Sequence, residues 1–230
     1  MDKLEQKLRE VYKTKGLQFV YEVCRSMLSI KDNTGKKRTV NGNVCEILLC
    51  LMTEEYLSKK KIDGFIARSV ILKDPTKPSS DFRTEIDFLF CTKKVVFCTE
   101  CKSYVGNKRI TDKFTLHTDS REFDVYKQNQ IHVETLYKNI NFAKIKQTDK
   151  FNIAMSGFLF SNGDIHDVRE ERYKKIMPAI TQNNLYQFYN ALLDSHTSNV
   201  WDLEKLKKII SLITSNKNLR AEHKSYLGYQ

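Results

Sequence analysis

Apolar positions recur at helical spacing over residues 2–13 and again over 17–30, where Leu17, Val20, Tyr21, Met27 and Leu28 form one stripe. The pattern predicts two amphipathic helices that cap the core. Lys31 to Arg38 interrupts it with turn residues and charge, and reads as a basic surface loop. From Asn43 the chain is apolar almost all the way round a helix, through Val44, Cys45 and Ile47 to Met52, which predicts a largely buried helix. Residues 62–72 alternate as a strand, and the two prolines of Lys73 to Ser80 make a loop. Two runs rich in β-branched and aromatic residues follow, Arg83 to Phe90 and Val95 to Gly106, and read as a hairpin. Residues 107–122 have no firm period. A helix over 124–140, a strand over 151–160 and helices over 181–194 and 202–215 complete the pattern, with 216–230 a loosely held basic tail. The core order αβββαβ predicts an α/β fold, a mixed central sheet flanked by helices on both faces.

The hairpin carries the charge that a core strand avoids. Side chains alternate along a strand, so Cys98, Glu100 and Lys102 share a face. A turn at Cys91–Lys94 that pairs Glu85 with Glu100 sets Asp87 diagonally across from Glu100 on that face. Ile86, Phe88, Phe90, Val95 and Phe97 then fall on the other, a core face that a one-residue slip would destroy. Glu85 reads as a rim residue. Within the buried helix, Glu46 points between Leu49 and Cys50 and needs a partner, because an isolated buried carboxylate is costly. A capping box with Asn43 as N-cap is one explanation, and a service to the acidic cluster downstream is another. Gln128 and His132 stand one turn apart on a helix face, His132 reading as a packing histidine.

Composition narrows the class. With 230 residues and 40% apolar content, the chain can bury a substantial core. We divide it into an N-terminal helical cap over 1–40, a core over 41–165 and C-terminal helices over 166–230. No apolar run approaches a membrane span and the stretch Met1 to Glu5 lacks the apolar region of a secretory signal, so no membrane partner is expected and the location is expected to be cytoplasmic. The six cysteines sit mostly in apolar runs and read as buried thiols; Cys98 and Cys101 face opposite ways on a strand and have no second pair for zinc. The net charge of +11 favours a polyanionic partner. Lys108, Arg109 and Lys113, in the aperiodic 107–122 segment, are read as lining a substrate groove.

Four pieces stand in order: Gly42-x-x-x-Glu46 on a helix, Glu85-Ile86-Asp87 on a strand, Glu100-Cys101-Lys102-x-Tyr104-x-Gly106 on the next, and Gln128-x-x-x-His132-x-x-x-Leu136 on a helix. This set resembles the PD-(D/E)xK nuclease superfamily, and within it the nuclease-related domain (NERD) family. The strand ending Phe158-Leu159-Phe160-Ser161 fits as well, so the similarity covers roughly residues 40–165. The resemblance implies a metal-dependent nuclease acting on nucleic acid, most readily DNA. Asp87, Glu100, the Cys101 carbonyl and Glu46 would hold magnesium, with manganese as a substitute, because phosphodiester hydrolysis calls for a hard, oxygen-ligated cation. Lys102 would orient or deprotonate the attacking water, and Gln128 would hold the lysine, the water or a phosphate. The alternative is a non-catalytic nucleic-acid-binding domain of the same fold; a homodimer stays open.

Overall fold

The structure, a computed structural model, describes residues 3–29, 35–77, 82–103, 106–111, 115–119, 121–142, 155–161, 164–215 and 219. Lys113, Tyr104 and all of the predicted tail except Leu219 lie outside them. The fold is mixed α/β, with the expected helix, three strands, helix and strand in order. Its larger sheet runs in the order β1-β2-β3-β7-β9, from β1 (Gly64–Lys73), β2 (Arg83–Thr92), β3 (Val96–Lys102), β7 (Met155–Ser161) and β9 (Ala179–Thr181). The chain forms two compact units, each interleaved in sequence.

One unit gathers residues 63–100, 126–158 and 189–230. Here β1 and β2 are antiparallel, and β2 meets β3 through the couples Cys91–Val96, Phe90–Phe97, Leu89–Cys98 and Phe88–Thr99. The pairing differs by two residues from the sequence expectation of Glu85 opposite Glu100. The turn explains it: Thr92 Oγ1 accepts hydrogen bonds from the Lys94 and Val95 amides, and Thr92 N donates to Val95 O at 2.8 Å, so only Lys93 and Lys94 form the loop. A shift of two keeps every side chain on its face.

Ile86, Phe88, Phe90, Val95 and Phe97 are all fully buried, but Ile86, with Val70 and Leu72, packs in the same cluster as Leu89 and Cys98 rather than with the aromatic face expected for it. Phe90 and Phe97 stack at 5.4 Å, and Tyr189 of α5 (Leu185–Ser195) closes over them, 4.9 Å from Phe90. The acidic face is buried too. Leu89, Cys91, Val96 and Cys98 join a cluster with Leu136 and Ile140 of α3 (Val125–Phe142), with Trp201, and with Leu203, Leu206 and Ile210 of α6 (Leu203–Ser215). Helices therefore cover both faces, and the carboxylates belong to a packed face rather than an open one. Burial pushes the Cys91 and Cys98 thiols well up, which suits inert core residues.

Two contacts tie α3 to the end of β1: Lys138 Nζ to Asp74 Oδ2 at 2.8 Å, and Asn139 Nδ2 to Lys73 O at 3.0 Å. The Lys138 ammonium, with the Thr76 hydroxyl and amide, holds the Asp74 carboxyl well below its ordinary value of 3.8. A depressed carboxylate stabilises the fold fully above its unfolded value and loses that contribution as pH falls towards the folded one. The melting-temperature gap between wild type and Lys138→Ala should therefore stay constant above about pH 5 and close as the pH is lowered below it.

The other unit gathers residues 1–62, 101–125 and 159–188. Its α1 (Lys3–Ser29) kinks at Gly16, φ 80°, which divides it into the two helices expected. Next, α2 (Gly35–Lys60) corrects the sequence reading. It begins inside the supposed basic loop, since Lys36, Lys37 and Arg38 are good helix formers, and Asn43 lies within it rather than at its N-cap. A capping box therefore does not account for Glu46. The helix ends on Lys61, φ 54°, with Ile62 N donating to Leu57 O and Lys61 N to Ser58 O, a Schellman closure. Arg9 clasps Glu54 through two hydrogen bonds of 2.6 and 2.8 Å, and Tyr186 donates to Glu55 at 2.7 Å.

The aperiodic segment forms a small second sheet in the order β6-β5-β4-β8, from β4 (Lys108–Ile110), β5 (Thr115–Thr118), β6 (Glu122–Asp124) and β8 (His166–Asp167). Gly106, φ 101°, leads into it, and a side chain there would collide with the Asp119 carboxylate. Residues 171–176 add α4 (Glu171–Ile176).

Candidate active site

Asp87 and Glu100 owe their positions to the hairpin. The β2–β3 ladder stops at Phe88–Thr99, and the next residue on each strand is one of the two acids. Glu100 continues the face of Cys98. Glu100 is 2% exposed, Asp87 half-buried. On the other side of β2 the ladder steps from Arg68–Phe88 to Val70–Ile86, passing over Ser69, whose φ is 48°. By that register Asp87 lies opposite Ser69, beside a left-handed backbone position on β1. Ser69→Gly should relieve the left-handed strain and change stability by no more than about 1 kcal/mol, glycine's own entropy opposing the gain. Ser69→Val should be plainly destabilising in the same urea titration, because a β-branched residue tolerates that conformation poorly.

α3 carries polar groups on its buried side and brings one of them to Glu100. Asn129, His132 and Thr135 are 3%, 4% and 5% exposed, a buried polar stripe ahead of the apolar Leu136 and Ile140. His132 Nδ1 lies 3.4 Å from Glu100 Oε2. Asn129 packs directly on Gly157 of β7, where any side chain would displace its amide. Gln128 is half-buried one turn before His132. Sequence reasoning gave His132 a packing role; its i, i+4 spacing from Gln128 was the available signal that it looks towards the acids.

The remaining expected residues belong to the other unit. Glu46 is half-buried in the middle of α2, flanked by fully buried Cys45 and Ile47. Cys101 and Lys102 end β3, where alternation gives Lys102 the face of Glu100. The Lys102 ammonium lies 5.5 Å from the Phe123 ring centroid, a cation–π contact that holds the side chain without cancelling its charge. On β4, Arg109 is exposed whereas Lys108 is 6% exposed. Lys108 therefore does not stand on a groove wall as expected: strand alternation turns it inward with Ile110, and desolvation pulls its pKa down.

A nuclease-related domain (NERD) family model matches residues 42–162, just over half of the chain. The chain belongs to the NERD family. No curated protein and no solved structure matches it. Within the NERD match fall all four motif pieces, from Glu46 to His132. Membership makes this a nuclease-related domain, with nucleic acid as the class of partner and divalent metal as the class of helper. The donors present fit a hard cation: Asp87 and Glu100 offer carboxylate oxygens and no soft sulfur ligand. Among the described residues, no three His, Cys, Asp or Glu side chains gather into a group that would hold a metal unaided. Water and phosphate oxygens would complete the shell, as is usual for magnesium. No helix among them is long and apolar enough to cross a membrane.

Proposed function

We propose that this NERD protein is a metal-dependent deoxyribonuclease that hydrolyses phosphodiester bonds. The observation that carries the reading is that Asp87 and Glu100 each adjoin the Phe88–Thr99 couple on neighbouring strands, with Lys102 further along β3. In it, Asp87, Glu100 and the Cys101 carbonyl hold magnesium, or manganese in its place, and Glu46 contributes from α2 directly or through water. A bound cation of this kind neutralises phosphate charge and lowers the pKa of an attacking water. Lys102 orients that water or takes its proton, and offsets the charge that develops at the phosphate. Gln128 holds a phosphate oxygen or the lysine. Arg109, exposed on β4, and Lys113 contact the DNA backbone, a role that the net charge of +11 supports. The working compartment is cytoplasmic, in keeping with six free thiols.

Supercoiled plasmid and single-stranded DNA, incubated with purified protein in magnesium or EDTA, test this. Cleavage is expected only with the metal, and Lys102→Ala should lower it by roughly 10²–10⁴-fold, the usual worth of a positioned acid or base. Cleavage that survives EDTA, or a Lys102→Ala rate equal to wild type, contradicts the mechanism. DNA binding without cleavage under any divalent ion favours the non-catalytic binding domain instead.

A further inference from the structure

We propose that His132 is the positioning residue for the Glu100 carboxylate, pinning one oxygen so that the other is presented to the cation. The inference rests on the metal reading above and adds a residue to it. A helix that packs on a sheet through Leu136 and Ile140 gains nothing from a histidine at the preceding turn, where a leucine would bury more apolar surface. A polar ring 4% exposed is tolerated when a specific group faces it. Here that group is Glu100, itself 2% exposed, whose Oε2 lies 3.4 Å from Nδ1. The separation is that of a close polar contact.

The seat of His132 is built on both sides. One turn earlier, Asn129 is locked against the bare backbone of Gly157, which fixes how closely the helix approaches β7. Further along, Lys138 and Asn139 fasten the helix to Asp74 and Lys73. The ring is therefore delivered to Glu100 by a helix anchored at two points. A glutamate carries three side-chain torsions, and a hard cation gains from a carboxylate whose orientation is already set. With Oε2 facing the imidazole at 3.4 Å, Oε1 is the atom the proposal assigns to the cation.

Isothermal titration of manganese into the full chain, without nucleic acid, tests the role. His132→Phe keeps ring volume and removes the polar nitrogen; His132→Gln keeps a side-chain donor. His132→Phe is expected to weaken manganese binding by about 10–100-fold, the usual cost of losing the polar partner that orients a metal ligand, and His132→Gln to recover most of it. In a Glu100→Gln background, His132→Phe should have no further effect. Thermal unfolding in EDTA confirms that each variant is folded. Wild-type affinity in His132→Phe overturns the proposal, and so does an equal loss in the Phe and Gln variants. A wild-type chain that binds no manganese overturns the metal reading itself; one that binds it while His132→Phe binds equally well overturns only the role of His132.

Discussion

Glu100→Gln is expected to lower magnesium-dependent cleavage by roughly 10²–10⁴-fold while the protein stays folded. The substitution is nearly isosteric and removes one hard anionic ligand. A cation's stabilisation of transition-state charge is worth several kcal/mol, and each decade of rate corresponds to about 1.36 kcal/mol. The fold should tolerate the change, because glutamine's amide still fills the space and still offers the imidazole a polar partner 3.4 Å away. It also removes a negative charge from a site 2% exposed, next along its strand from the couple beyond which Asp87 follows. Like charges on neighbouring strands oppose each other, so the melting temperature in EDTA should not fall. Glu85→Gln is the control. Glu85 pairs with Ile71 on the β1 side, two residues further from the end of the ladder. Its loss should leave the rate close to wild type in single-turnover assays on the same plasmid. If Glu100→Gln cleaves like wild type, or if Glu85→Gln fails equally, the carboxylates have been assigned wrongly.

The largest stability effect should come from Trp201. It is 2% exposed at the heart of the cluster behind the acidic face, and its backbone amide donates to Lys93 O at 3.0 Å, which fastens the start of α6 to the hairpin turn. Trp201→Ala opens a cavity that Leu89, Cys98, Leu136 and Leu206 cannot fill, at a cost of about 3–5 kcal/mol in urea unfolding. Trp201→Phe should cost far less than that. The indole N–H has no hydrogen-bond acceptor among the described residues, so its removal leaves no new orphan and only area is lost. Comparable losses in both variants would show that the indole nitrogen matters in a way the packing does not express.

The hairpin was legible because alternation and chemistry agreed. Phe88, Phe90 and Phe97 stand on the aromatic face as expected, whereas Ile86, equally buried, packs with Leu89 and Cys98. The exact register was not legible, because a threonine hydroxyl that accepts two turn amides leaves no mark on the hydrophobic pattern. The burial of the acidic face has its own signal in Leu89, Cys91 and Cys98, an apolar alternation that the neighbouring charges mask. Helix α6 was placed to within one residue since Asp202 caps it, Oδ1 accepting from Lys205 N at 3.1 Å. The early start of α2 was missed because charge next to Gly35 resembles a loop, and a lysine-rich first turn has no pattern of its own. The second sheet was missed for a different reason. Strands of two to four residues are too short to show a period, and their burial depends on neighbours distant in sequence. Lys108 is the price of that blindness: read as a phosphate contact from its charge, it points inward by strand alternation. The site's acids and lysine came from motif order, whereas the approach of His132 to Glu100 needed the packing of α3 on the sheet.

The central claim is that Asp87 and Glu100 together hold a divalent cation, and thermal unfolding tests it without any substrate. A ligand that binds only the folded chain raises the melting temperature by mass action, with stabilisation of about 2.7 kcal/mol when its concentration is 100 times the dissociation constant. Manganese added to the EDTA-treated protein should raise the melting temperature of wild type in a concentration-dependent way and leave that of the Asp87→Asn, Glu100→Gln double variant unchanged. An equal rise in both proteins, or none in wild type, would contradict the account.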